Sequence, residues 1–295
     1  MAATDVLTPA TRDALVVALS RATPRTRLLA GGTDLVREIR RPGHEPDLLV
    51  DLTGLREFSG VRRDGGTLCV GALTTFTELQ RDPLVRQYAL CLALAAAQVG
   101  SVQIRNAGTV GGNVANASPC ADSATALTAL EAEVTTIDGT GTLLTRPICE
   151  VLLGPNRTSL AHDQAIVEFR FAALGPEYRT AFTKIGSRTA VSVARLSAAL
   201  VVRFDVVSGT MADVRLALGA VGGNAFRAAE VEALLEGRPA DEASAHILAN
   251  GCVAAISSSI PDRPSLPYKR HAAIGLAYDS WNALALCPPC EPDWS

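Results

Sequence analysis

Two glycine-rich segments that bear hydroxyl, amide and carboxylate side chains lie far apart in this chain of 295 residues. The first runs from Leu28 to Leu35 and the second from Gly108 to Asp122. Glycine lets a backbone approach a ligand closely, and consecutive free amides form a concavity that binds anions. Two such loops converging on one ligand suit a diphosphate, and their polar side chains suit the sugar hydroxyls that flank it. We therefore predict a dinucleotide site and interpret the dinucleotide as FAD.

Backbone amides of both loops are expected to wrap the diphosphate. An ionised carboxylate at Asp122 is a strong acceptor for a ribityl or ribose hydroxyl. The alternative for Asp122 is an N-cap of the helix that follows it. The residues predicted from these two segments to bind the cofactor are Leu28, Leu29, Ala30, Gly31, Gly32, Thr33, Asp34, Leu35, Thr109, Val110, Gly111, Gly112, Asn113, Ser118 and Asp122.

Other nucleotide motifs and catalytic constellations are missing from the sequence. No Gly-x-Gly-x-x-Gly opens a helix after a strand, and no Gly-Lys-Ser/Thr follows a glycine loop, which argues against the Rossmann and P-loop classes. Two ordinary tight turns remain the alternative explanation for the paired glycines. The four histidines show no spacing that suggests a metal. We predict no bound metal and no catalytic triad, and assign no catalytic residue.

Composition excludes several classes of partner. A net charge of −3 gives no reason to expect nucleic acid or an anionic membrane surface. The N-terminal residues do not resemble a signal peptide, and the most apolar helical stretch, residues 88–99, is too short to span a bilayer. We expect a cytoplasmic protein without membrane insertion. Of the seven cysteines, only Cys287 and Cys290 form a C-x-x-C pair. This pair is either a metal-binding or redox site or part of an inert tail.

The pattern along the chain predicts an α+β fold in two domains. The first covers residues 1–175, in two lobes of about 1–58 and 59–175; the second covers residues 176–286 and a tail follows at 287–295. In the second, strands at 180–184, 197–204 and 214–221 are expected to form a small antiparallel sheet with helices on one face. In the first domain we expect helices at 6–22, beginning at Thr75, at 85–98 and at 121–132. We also expect strands there at 26–30, 48–52, 67–72, 134–137 and 165–171.

The second glycine-rich segment resembles a long and specific motif of a known family. Residues Thr109 to Asp122 match, almost residue for residue, the Thr-Ile-Gly-Gly-Asn-Leu-Ala-Asn-Ala-Ser-Pro-Ala-Ala-Asp-like loop of the FAD-binding subunit of the xanthine dehydrogenase and carbon monoxide dehydrogenase family, the molybdenum hydroxylases. The first segment is similar to their Ala-Gly-Gly-Thr-Asp-Leu-like loop. Likeness at 184–188, 216–221 and 262–270 extends the resemblance from about Leu28 to about Leu286.

The resemblance implies a two-lobed FAD-binding domain of the PCMH type, followed by an α+β C-terminal domain, with FAD between the lobes and against the second domain. It places Lys184 near the flavin ring, where a cation would stabilise the anionic reduced flavin; the alternative is a solvated strand end. It also gives Ile166 a backbone contact to the cofactor. The family pattern is broken at Ser192, where many relatives carry Asp, and at Val99 and Val193, where some carry aromatic residues.

The function implied by the resemblance is electron transfer inside a larger enzyme. A molybdopterin-binding large subunit would oxidise the substrate, and a small subunit with 2Fe-2S clusters would deliver the electrons to this FAD. NAD, oxygen or a quinone would then accept them. The alternative is a stand-alone FAD-dependent oxidoreductase that acts directly on a small molecule, which the departures from the family pattern leave open.

Overall fold

The computed structural model describes residues 4–205 and 207–286, so the Cys287–Cys290 pair lies outside the described residues. The strands are β1 (Asp5–Leu7), β2 (Arg27–Leu29), β3 (Leu48–Asp51), β4 (Val61–Asp64), β5 (Thr67–Gly71), β6 (Glu133–Ile137), β7 (Leu143–Pro147), β8 (Leu152–Gly154), β9 (Arg157–Thr158), β10 (Ala165–Ala172), β11 (Tyr178–Ile185), β12 (Leu196–Phe204), β13 (Met211–Gly219) and β14 (Phe226–Arg227). The helices are α1 (Arg12–Leu19), α2 (Leu35–Ile39), α3 (Phe76–Arg81), α4 (Pro83–Tyr88), α5 (Leu90–Ala97), α6 (Val102–Ala107), α7 (Val110–Asn116), α8 (Asp122–Ala129), α9 (Ile148–Val151), α10 (Ala229–Leu235), α11 (Glu242–Ser259) and α12 (Leu266–Leu286).

A small parallel sheet of order β1-β3-β2 begins the chain. Helix α1 packs on it through Leu15 and Leu19, which share a core with Val50 of β3. The helix predicted over residues 6–22 is wrong at its start, because residues 5–7 pair with β3 and the helix begins only after Thr11, whose hydroxyl accepts from the amide of Ala14. Strand β2 delivers the chain to the first glycine loop.

A five-stranded antiparallel sheet of order β4-β5-β10-β6-β7 forms the second layer. Residues on one face of the sheet, such as Leu68, Val134 and Phe169, are buried in the core that it shares with the helices α3, α4, α5, α7 and α8. The predicted capping box at α3 is present, with Thr75 and Glu78 bonded reciprocally. The helix predicted over residues 85–98 is instead two helices, because the backbone leaves the helical region at Ala89 (φ −155°, ψ 49°).

The third sheet, β11-β12-β13-β14, is antiparallel, as predicted for this part of the chain. Successive side chains of β12 point to opposite faces: Ala198 and Leu200 pack with α11 and α12, whereas Ala199 and Val201 join the core of the second layer. Helices α5 and α8 cover that second face. The α+β class is confirmed. Among the described residues, no helix combines the length and hydrophobicity needed to cross a bilayer.

Candidate functional site

A cleft of about 470 Å³ opens between the first two layers, and both glycine-rich segments line it. Residues 28–35 form one wall, residues 108–113 form the facing wall, and a stretch before and within β10 closes one side. The predicted site residues that line the cleft are Leu28, Ala30, Gly31, Gly32, Thr33, Asp34, Leu35, Thr109, Gly111, Gly112, Asn113 and Ile166. Segments far apart in sequence therefore meet around one cavity, as the two-loop hypothesis requires.

The two loops touch each other through their backbones. A Cβ atom on Gly31 would lie 1.8 Å from the carbonyl oxygen of Ala107, so no residue with a side chain fits there without moving one loop. Gly111 is also held closely, since a Cβ there would lie 2.6 Å from Cβ of Ala72. At Gly112 a Cβ would lie 3.0 Å from Oγ1 of Thr109 in its own loop, and the nearest atom across the cleft would be Cβ of Ala30, at 3.8 Å. Gly31 and Gly111 thus close the walls, and Gly112 leaves space between them.

The second loop uses its amides internally. The amide of Val110 donates to the carbonyl oxygen of Thr74 and that of Gly111 to Ala72, at 3.1 and 2.8 Å. Thr109 caps helix α7: its hydroxyl accepts from the amide of Gly112 at 3.1 Å, and its carbonyl accepts from Asn113 at 3.0 Å. The prediction that amides of both loops are free for a diphosphate is therefore wrong for residues 110–113.

The first loop supplies the free donors. Within the described residues, the amides of residues 31–35 donate to no protein acceptor, although they lie on the wall of the cleft. Gly32 turns the chain with a positive φ of 68°, which glycine adopts without strain. Successive unpaired amides at such a turn form an anion-binding concavity. This loop is therefore the part of the cleft wall whose backbone amides could bind an anion, and the facing loop contributes closely packed glycine surface and the side chains of Thr109 and Asn113.

Asp122 of α8 and Lys184 of β11 form a buried ion pair, and Lys184 lines a second cavity, of about 480 Å³, together with Gln98 and Arg105. Nζ of Lys184 lies 2.5 Å from Oδ2 of Asp122 and donates to the carbonyl oxygen of Gln98 at 3.0 Å. Their side chains are only 4% and 7% exposed for Asp122 and Lys184, respectively. The solvated-strand-end alternative for Lys184 is therefore wrong. The N-cap alternative for Asp122 is wrong as well, because Ala121 occupies the N-cap position and Asp122 is the first residue of α8.

The environment of Asp122 favours its protonated form. Oδ1 is buried and has no hydrogen-bond partner among the described residues. Burial raises the pKa of Asp122 to about 6, although the neighbouring Lys184 ammonium acts in the opposite direction. A carboxylate with one orphaned oxygen is ready either to accept a ligand hydroxyl or to take a proton.

Five predicted residues do not line the cleft. Leu29 lies within β2, Val110 is fully buried in the core, and Ser118 accepts a hydrogen bond at 3.4 Å from the amide of Cys120. Asp122 is buried in an ion pair with Lys184, and Lys184 lines a separate cavity. Ser123, next to Asp122, donates at 2.7 Å to Oδ1 of Asn113, which does line the cleft, and Gln98 precedes the lining residue Val99.

Sequence reasoning missed the side of the cleft that precedes and enters β10. His162 and Gln164 line the cavity there, just before the predicted Ile166, and Asn156 lies beside them. Asn116, from the last turn of α7, also reaches the cavity. These positions follow no glycine pattern. The only available signal was their nearness to Ile166 in the sequence.

The fold and the cleft define a class of protein: a chain in which two glycine-rich segments meet across a cleft between two sheets, with a third sheet packed on the helices of the second layer. Residues 2–172 match the family described as the FAD-binding domain in molybdopterin dehydrogenase, and residues 181–284 match the carbon monoxide dehydrogenase flavoprotein C-terminal domain. The chain belongs to this family of FAD-binding oxidoreductase subunits, and its cofactor is FAD.

Named relatives cover most of the chain. It is 30% identical over 255 residues to the nicotinate dehydrogenase FAD-subunit of Eubacterium barkeri, covering 84% of each chain. It is 32% identical over 218 residues to a putative xanthine dehydrogenase FAD-binding subunit of Escherichia coli, covering 73% of this chain and 74% of that one. Among solved structures it resembles carbon monoxide dehydrogenase from Hydrogenophaga pseudoflava, with a TM-score of 0.87, 28% identity, and coverage of 96% and 98%.

The residues present suit the cofactor. The free amides of residues 31–35 match a diphosphate, and the cleft is long enough to run from that loop past Asn113 to Ile166 and His162. The orphaned Oδ1 of Asp122 is an acceptor for a hydroxyl group, and Lys184, which lines a second cavity, is a buried cation paired with it. Diphosphate, hydroxyl and ring recognition are thus all represented in the chain.

Proposed function

We propose that this chain is the FAD-binding electron-transfer subunit of a molybdenum hydroxylase-type dehydrogenase. Its partners would be a large subunit with molybdopterin and a small subunit with 2Fe-2S clusters, and its electron acceptor would be NAD, oxygen or a quinone. The observation that carries the proposal is the cleft in which the free amides of residues 31–35 face the second glycine loop. The likeness of the whole chain to proteins named as FAD-subunit and medium chain supports the multi-subunit part.

The first loop and Asp122 would hold different parts of the cofactor. The amides of residues 31–35 bind the diphosphate, which glycine at positions 31 and 32 lets approach closely. Oδ1 of Asp122 accepts a hydroxyl of the ribityl or ribose group and gains the hydrogen-bond partner that it otherwise lacks. Ile166, which is 8% exposed at the edge of the cleft, contributes its backbone.

Lys184 would set the electrostatics at the ring end. FAD, when bound, accepts a pair of electrons and passes them on. A buried ammonium near the ring favours the form that carries negative charge, so it raises the tendency of the cofactor to accept electrons. Strand β11 holds Lys184 on the C-terminal sheet, whereas the glycine loops lie in the first two layers. We propose a division at residue 175, so that both domains contribute to one site.

The cofactor site is tested by Gly112→Val, with Gly275→Val as the matched control. Both glycines lie in helices, α7 and α12, but the Gly112 side chain would enter the cleft toward Ala30, whereas a Cβ on Gly275 meets nothing within 4 Å. We expect the Gly112 variant to lose most of its FAD, measured as flavin absorbance per chain, while its circular dichroism matches that of the control. Full flavin content in the Gly112 variant would place the cofactor elsewhere.

The partner assignment is tested on untagged protein purified from its native host. Flavin bands together with iron–sulfur absorbance and molybdenum, on co-purifying chains, are the expected outcome. Flavin alone, on a single kind of chain that turns over a small molecule, would instead establish the stand-alone oxidoreductase. The two outcomes differ in metal content as well as in subunit composition.

A further inference from the structure

Three segments of the chain concentrate positive charge in a protein whose net charge is −3. They cover residues 97–107, 186–195 and 262–270, and they hold six basic residues against the single carboxylate of Asp262. The remainder of the chain is therefore more acidic than the total indicates. The six basic residues are Arg105, Arg188, Arg195, Arg263, Lys269 and Arg270.

The first two segments meet at the second cavity. Arg105 of α6 and Arg188 of the loop after β11 line it together with Lys184, and its lining residues, all within the described part of the chain, include no carboxylate. Arg188 also fixes its own loop, because its Nε donates to the carbonyl oxygens of Ala190 and Val191 at 3.1 and 2.8 Å. One rim of the cavity is thus a positively charged loop that is held by its own hydrogen bonds.

The third segment continues the same surface at the start of α12. The guanidinium of Arg195 lies 5.5 Å from the ring centroid of Tyr268, which joins the loop after β11 to the helix. The thiol of Cys120 interacts electrostatically both with Lys184 at the cavity and with Lys269 of α12. The three segments therefore form one continuous surface, which we call the basic face.

Stability of the fold does not explain where these cations lie. The first turn of α12 has no acidic residue and carries Lys269, although the positive end of the helix dipole disfavours a cation there. Within residues 4–205 and 207–286, neither Arg263 nor Arg270 has a carboxylate partner. Like charges that gather without counter-charges repel one another, so this arrangement favours a role in binding.

Exposed apolar side chains lie between the cations of the basic face. Val191 and Val193 of the loop are 49% and 72% exposed, Val102 at the cavity is 56% exposed, and Tyr268 is 44% exposed. Val191 also has a positive φ of 51°, which β-branched residues rarely adopt, so the loop exposes it in a strained conformation. Protein interfaces combine apolar and aromatic side chains with arginine, whereas a small anion needs only a few cations around one cavity.

We propose that the basic face is a docking surface for another subunit of the same complex, one that presents a carboxylate-rich surface. The inference rests on the proposed function, because that function requires partner subunits. Opposite charges on the two surfaces accelerate their encounter and fix their relative orientation. The exposed valines and the tyrosine are then removed from water at the contact, and this burial stabilises the complex.

Charge reversal tests the basic face in the complex purified from its native host. Arg263→Glu places a carboxylate on the face, and the matched control Arg238→Glu places one at an exposed arginine outside the three segments. Analytical ultracentrifugation at fixed salt should give a dissociation constant about tenfold higher for Arg263→Glu than for the parent, and an unchanged one for Arg238→Glu. Equal dissociation constants for the two variants would overturn the proposal.

Zero-length cross-linking tests the chemistry of the partner surface without reversing any charge. A carbodiimide joins an amine to a carboxylate, and Lys184 and Lys269 are the only lysines of the chain. Arg263→Lys therefore adds an exposed amine to the face, and Arg238→Lys adds one outside it. We expect mass spectrometry to find position 263 joined to an aspartate or glutamate of another subunit, and position 238 joined to none. Cross-links from position 263 only to a second copy of this chain, or to no chain, would overturn the proposal.

The parent protein separates this inference from the proposed function. A parent that purifies with FAD but without any partner chain refutes the multi-subunit part of the proposed function, and the docking surface with it. A parent complex whose dissociation does not depend on the charge at position 263, and which forms no cross-link there, refutes only the docking surface.

Discussion

Two ionic contacts join the region of α8 to the C-terminal sheet, and they are built in opposite ways. At the start of the helix, Asp122 meets Lys184 of β11 as an isolated pair, with both side chains less than a tenth exposed. Just beyond its end, Glu131 meets Arg215 of β13 and Arg227 of β14, at 3.4 and 2.9 Å, and its own side chain is 58% exposed.

The second contact is a network in which the charged groups have several partners. Arg215 also pairs with Asp213, and Arg227 also pairs with Glu232, whose Oε1 accepts from the amide of Leu216 as well. Water reaches Glu131 directly. Such an arrangement holds two elements in register at small cost, and it has no orphaned atom at its centre.

The difference indicates what each contact is for. A buried pair is a poor way to gain stability, because desolvation of two charges consumes most of their attraction. An orphaned oxygen on Asp122 adds to that cost. The exposed network also joins the sheet to the region of α8, so a gain in stability is a weak reason for the buried pair.

The largest effect that separates the two contacts is expected from Lys184→Gln. This change leaves a carboxylate buried without its cation, and we expect a loss of about 3 kcal/mol in the free energy of unfolding at neutral pH. Below pH 6, where Asp122 takes a proton, the loss should shrink. Urea unfolding of the full chain at both pH values measures it. A loss that is the same at both would show that Asp122 carries no charge in the folded protein.

The pH profile of the Asp122→Asn variant gives a second contrast. The pKa of Asp122 is raised in the folded protein from 3.8 to about 6, so the folded state binds more protons than the unfolded state between these values. Stability contributed by this group is present below pH 3.8 and is lost as the pH rises through 6. The parent should therefore lose on the order of 2 kcal/mol relative to the variant across this range.

Asp213 provides a control whose contribution to stability should depend on pH in the opposite sense. Asp213 in the exposed network has a lowered pKa because of hydrogen bonds from Arg215 and Tyr178, although burial opposes the shift. Its contribution to stability is lost as the pH falls, not as it rises. If the parent instead gained stability relative to Asp122→Asn as the pH rises, the assignment of a raised pKa to Asp122 would be contradicted.

The smallest effect is expected from Glu131→Gln. Because Glu131 is more than half exposed, its pairs with Arg215 and Arg227 are screened by water, and we expect a loss of about 0.5 kcal/mol. Added salt should reduce that loss further, whereas it should leave the effect of Lys184→Gln unchanged. Unfolding at low and high ionic strength tests both. A salt-dependent effect at Lys184 would mean that solvent reaches the pair.

Much of the architecture was predictable because the signals are local. The apolar runs at 48–52 and 67–72 are strands, and the reciprocal pairing of Thr75 with Glu78 marks a helix start by spacing alone. The glycine-rich segments predicted the cleft for a similar reason. A glycine is needed where the chain passes close to another backbone, as Gly31 does.

The errors arose where the deciding partner is distant in sequence. Residues 5–7 form a strand because they pair with β3. A segment of three residues is too short for its hydrophobic pattern to indicate such a pairing. Amides 110–113 were expected to be free, but the carbonyls of Ala72 and Thr74, on a different segment, already accept two of them. Asp122 and Lys184 were each placed near the cofactor, yet nothing local shows that they neutralise each other across two domains.

The backbone contact between Gly31 and Ala107 has a consequence for how the protein is assembled. It joins segments that are distant along the chain. The chain between them must therefore lose conformational entropy before the contact can stabilise the fold. The cleft therefore becomes complete only after both layers have formed and docked. We therefore expect FAD to bind after the two layers have docked, so that cofactor insertion follows folding.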